Sequence, residues 1–79
     1  MTEISTSLAD VPVGTRATLA LCSAEPQLRA RLATLGLRCG ARVEVMRRTS
    51  GGGRILGVAG ARIALDPSVL RTLLIKDDA

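Results

Sequence analysis

The chain contains no phenylalanine, tyrosine or tryptophan. In 79 residues this leaves the core to leucine, valine, isoleucine and alanine alone. A domain of this size buries only roughly 60% of the surface its unfolded chain exposes. Small aliphatic side chains then give modest stabilisation per residue, and self-association is a common supplement. Hydrophobic residues make up 47% of the chain and charged residues 23%, a globular balance and not a disordered one. The length predicts one domain over residues 1–79, with the polar residues 1–7 loose.

Punctuation and periodicity divide the rest. Pro12 and Gly14 mark an opening turn. Thr15 to Cys22 alternates, with Ala17, Leu19 and Leu21 on the face expected inside. Ser23 or Glu25 is positioned to cap a helix whose first turn holds Pro26. Leu28, Leu32 and Leu35 then form one apolar stripe, predicting a helix near residues 25–35. Gly36 stops it, and Leu37 can fold back onto its last turn. A helix of about ten residues is too short to stand alone, so it must dock on a sheet. Beyond Gly40 the pattern is short strands. Ala41–Arg48 alternates through Val43 and Val45, and Thr49 to Gly53 is a loop. Arg54–Ala59 is a strand, Gly60 reverses the chain, and Ala61, Ile63 and Leu65 point inward from the next. Asp66-Pro67-Ser68 opens a single helical turn, and Leu73 to Ile75 is the final strand. The expectation is a mainly β fold. It is a small barrel of about five antiparallel strands, closed or nearly closed, with one short helix after the first strand.

Most chemistry is excluded by what is missing. There is no histidine, so the commonest general base and metal ligand are absent. Two cysteines cannot supply a four-ligand zinc set, and Cys22 and Cys39 bracket the helix. No tight ferrous-iron site within one chain, no cofactor and no catalytic group is expected. Gly51-Gly52-Gly53 lacks the Gly-Lys-Ser/Thr ending of a phosphate loop and leads into a strand. It reads as a flexible hairpin loop. The chain begins with no basic and apolar leader and has no run near the ~20 apolar residues of a membrane span, so a cytoplasmic location with reduced thiols is expected.

The run from Arg31 to Val45 reads Arg-Leu-Ala-Thr-Leu-Gly-Leu-Arg-Cys-Gly-Ala-Arg-Val-Glu-Val. It resembles the core motif of the FeoA family, a pattern shared with the C-terminal SH3-like domain of diphtheria-toxin-repressor-type regulators. Gly60 to Leu65 and Leu70 to Ile75 are similar to two later segments of the same family, so the resemblance covers about residues 8–76. It departs at Cys39, where the family often has proline, and at Leu70, where a smaller residue is usual. The resemblance implies an SH3-like barrel. It implies an accessory protein of bacterial ferrous iron uptake, one that associates with FeoB, a membrane transporter with a cytoplasmic GTPase domain, and supports its assembly or modulates its nucleotide turnover. Two other readings stand beside it: a stand-alone regulatory module of a metal-dependent repressor system, and a small basic nucleic-acid-binding barrel. The second lacks the aromatic platforms that single-strand binding uses.

The net charge of +4 comes almost wholly from arginine. Guanidinium groups grip carboxylates in a planar fork, which suits an acidic protein face. The expected partner surface is a basic patch of Arg47, Arg48 and Arg54 around the loop, together with Arg29 and Arg31 on the helix. Leu74, opposite in phase to Leu73 and Ile75, is a second candidate, for a partner or for a homo-oligomer contact.

Overall fold

The computed structural model of the chain describes residues 6–77. The elements are β1 (Thr6–Ser7), β2 (Arg16–Cys22), α1 (Pro26–Thr34), β3 (Arg42–Arg48), β4 (Arg54–Val58), β5 (Ala61–Leu65), α2 (Pro67–Leu70) and β6 (Leu73–Asp77). All strand pairs are antiparallel, in one sheet of order β1-β6-β2-β3-β4-β5. Inward residues of β2, β3, β4 and β6 join Leu8, Leu32, Leu37 and Leu70 in a single apolar cluster. One sheet with one nine-residue helix as cover encloses such a cluster only by wrapping around it. The result is a mainly β, SH3-like domain.

Helix α1 ends as the sequence predicts. Gly36 takes φ +97°, and the N–H groups of Leu37 and Gly36 donate to the carbonyls of Leu32 (2.8 Å) and Ala33 (3.0 Å). This Schellman pair satisfies two end carbonyls and carries Leu37 into the core beside Leu32. The Leu28, Leu32, Leu35 stripe is therefore not the core face throughout. Leu35 is the C-cap and is 47% exposed, while Leu37 is fully buried. The fold-back moves the buried position two residues past the helical period.

Strand β2 contains a second departure. Leu19 pairs with Ile75 and Leu21 with Leu74, so Ala20 is an extra residue on one side. Such a bulge inverts the alternation beyond it. Leu21, expected inside, is 48% exposed, and Cys22 takes its place in the core. A matching bulge at Met46 shifts the β3–β4 register between Val45 and Arg47.

The strand count rises from five to six because Thr6 and Ser7, expected loose, pair with Ile75 and Leu74. Their polarity hides the strand. It is held by Leu8, whose N–H reaches the Leu73 carbonyl at 3.0 Å and whose side chain is buried. The rest of the predicted loose segment, residues 1–5, lies outside the described residues. The ladder ends at β1 and β5, so two strands form edges where a closed barrel has none. On edge strand β5, Ile63 and Leu65 are only half-buried and Ala61 is exposed.

Candidate functional site: an arginine-walled cleft on the sheet

The residues expected to form the basic patch divide. Arg47 and Arg48 are exposed at the end of β3, as are Arg29 and Arg31 on α1. Arg29 and Arg31 are two apart in a helix, so they do not share a face. Arg54 departs from the expectation altogether. It is buried, and its guanidinium Nη1 donates to the Val11 carbonyl, tying the start of β4 to the turn after β1. A buried polar group needs such a partner, and the Val11 carbonyl gives Arg54 a structural task in place of a surface one. Leu74 is half-buried, set between Leu21 on β2 and Ser7 on β1.

A different set of residues converges on the outward face of the sheet. Arg16 of β2 is the register partner of Glu44 on β3, Glu44 of Gly57 on β4, and Gly57 of Arg62 on β5. Register partners lie on one face, so these four form a straight row across four strands. Arg42 lies one pleat along β3 on the same side, opposite Thr18. The row lines an open cleft of about 370 Å³, with Arg42 and Met46 completing its walls. An adjoining hollow carries Arg38 and the exposed Cys39, whose thiol donates to the Ala20 carbonyl at 3.2 Å.

Gly57 makes the cleft. A Cβ there would stand 3.1 Å from Met46 Sδ, so the missing side chain is the floor and the thioether is a flexible wall. Glycine inside a strand weakens it and marks a place where another group approaches the backbone closely. Arg16 Nε and Glu44 Oε1 are 3.7 Å apart, and the two side chains are 75% and 39% exposed. An exposed pair of this kind contributes about 0–1 kcal/mol, so Arg16 is easily redirected to another carboxylate. The sequence offered one signal for this site, the glycine inside an otherwise regular strand. Its arginine neighbours come from three separate strands, and only the register brings them together.

The cleft holds no catalytic set. Among the described residues no three His, Cys, Asp or Glu side chains gather where they could hold a metal ion. Cys22 is buried and Cys39 exposed, both as free thiols. No helix of the described residues is long and apolar enough to cross a membrane. What the geometry offers is a shallow, positively framed recess with an apolar floor.

Comparison with known proteins places the chain in a family. No curated protein matches the chain. Among solved structures, the FeoA protein of Chlorobium tepidum is 27% identical, with a TM-score of 0.86 over 94% of this chain and 71% of that one. The zinc-complexed FeoA of Stenotrophomonas maltophilia, an SH3 domain protein, is 23% identical, with a TM-score of 0.73 over 89% of this chain and 88% of that one. A manganese-dependent transcriptional repressor shares the fold at 20% identity and a TM-score of 0.81, over 91% of this chain but 41% of the repressor. The family model for the FeoA domain matches residues 6–77, nearly the whole sequence. The chain belongs to the FeoA domain family.

Proposed function

We propose that the chain is a cytoplasmic, non-enzymatic accessory protein of ferrous iron uptake. It acts by binding the FeoB-type transporter on the side that carries the GTPase domain, and it supports that transporter's assembly or nucleotide turnover. The observation that carries this reading is the family match across residues 6–77. The Stenotrophomonas maltophilia relative has been put forward as a bacterial ferrous iron transport activating factor, which is consistent with the same role. The chemistry of the surface agrees: arginine and a cleft, with no catalytic constellation, suit a protein that docks.

Co-purification from detergent-solubilised membranes tests the reading. Tagged chain is expected to retain the FeoB-type transporter of the same cells, and failure to retain it at any nucleotide state argues against direct docking. The likeness to repressor domains favours a second reading, a regulatory module that associates with a metal-dependent repressor. Retention of such a repressor in place of the transporter would support it.

A further inference from the structure

We infer that the cleft over Gly57 is the docking site for an extended acidic segment of a partner protein, of the form acid-x-apolar-x-acid. The inference rests on the proposed accessory role only for the identity of the partner. Its chemistry comes from the cleft itself.

Arg16 and Arg62 stand at the two ends of the register row, three strand spacings apart. At about 4.8 Å per spacing that is roughly 14 Å. In an extended peptide, side chains two residues apart share a face, and those four apart are separated by about 13–14 Å. A segment laid across the strands therefore brings two carboxylates to Arg16 and Arg62 and sets the residue midway between them over the middle of the row. There the floor is Gly57 and the wall is the Met46 thioether, a polarizable and adaptable surface that accepts varied apolar side chains. Glu44 stands beside this central position and repels a third carboxylate, which makes the central residue uncharged. Arg42, on the same side, adds positive charge along the row. Arg16 and Arg62 frame the two ends of the row with positive charge, so charge complementarity selects an acidic segment over a basic or neutral one.

The probe is a fluorescein-labelled nine-residue peptide carrying Glu-x-Leu-x-Glu, with Gly and Ser elsewhere. A second peptide has Lys in place of both Glu residues. Anisotropy titration of the full chain is expected to show saturable binding of the acidic peptide, weakening with added salt, and none of the basic one. The double variant Arg16→Glu/Arg62→Glu changes only exposed side chains and should stay folded, with a thermal melt lowered slightly by the like charge it sets opposite Glu44, while weakening binding at least tenfold. Gly57→Val should weaken it comparably, and Arg47→Glu/Arg48→Glu should leave it within twofold. Absence of saturable binding overturns the inference, and so does equal binding of both peptides or unchanged binding by a folded Arg16→Glu/Arg62→Glu protein. The same double variant in the transporter co-purification separates the two proposals. If the transporter is retained equally by parent and variant, the accessory role stands and the cleft is not its docking site. If the acidic peptide binds in the cleft and the transporter is never retained, the cleft stands and the partner is another protein.

Discussion

Leu35 and Leu37 show how much depends on one residue of chain geometry. Both are leucines at the end of the same helix, yet one is 47% exposed and the other fully buried. Leu37→Ala is expected to cost about 2–5 kcal/mol, the usual range for a buried leucine that leaves a cavity. Leu35→Ala is expected to cost under about 1 kcal/mol. Chemical denaturation of the two variants under identical conditions checks the ordering. Arg54 makes the same point for charge. Arg54→Ala strands the Val11 carbonyl and is expected to cost about 1–3 kcal/mol, whereas reversing the exposed Arg47 and Arg48 should leave stability nearly unchanged. The sequence alone ranks Arg54 with Arg47 and Arg48, because three arginines around a glycine loop look alike until the turn at Val11 covers one of them and takes its guanidinium. Leu21 fails in the same way: a strict period of two places it inside, and a single bulge residue, invisible in composition, sends it out.

At the scale of elements, the local signals were the legible ones. The proline, glycine and leucine pattern around α1 gives its start, its stop and the fold-back of Leu37. Asp66-Pro67-Ser68 gives α2, and the structure places the Asp66 carboxylate to accept from Ser68 Oγ at 2.7 Å and from the Val69 N–H at 2.9 Å. The Ser68 hydroxyl, then the Val69 N–H, hold the Asp66 carboxyl below the usual carboxylate range. A group with a lowered folded-state pKa contributes stability above its unfolded value near 4 and loses that contribution as pH falls through the folded one. Asp66→Asn should therefore flatten the acid limb of a stability-against-pH curve below about pH 4, with little change in its slope between pH 6 and 8. Parallel thermal melts across that range measure it. The β4–β5 hairpin was legible only in part. Gly60 marks its reversal, but Ala59 also adopts a positive φ, +51°, where a Cβ is unfavourable. Ala59→Gly is expected to stabilise the hairpin by about 0.5–1 kcal/mol, read as a raised denaturation midpoint. What the sequence could not show is which strand lies beside which, and the cleft depends on that as well as on Gly57.

On the scale of the whole molecule, an aromatic-free sheet wraps one aliphatic cluster and leaves its outer face to arginine, glutamate and glycine. The fold class was readable because alternation, turn residues and one helix leave few ways to enclose so small a core. The site was not readable, because Arg16, Glu44, Gly57 and Arg62 lie far apart in the sequence and meet only through strand pairing. The domain's proposed place is beside a transporter it assists. The measurement that tests this most directly is the initial rate of radiolabelled ferrous iron uptake in cells that make the transporter with and without this chain. Removing the chain is expected to lower the rate severalfold at unchanged transporter abundance, and supplying it from a plasmid should restore the rate. An unchanged rate in cells lacking the chain would contradict the accessory role.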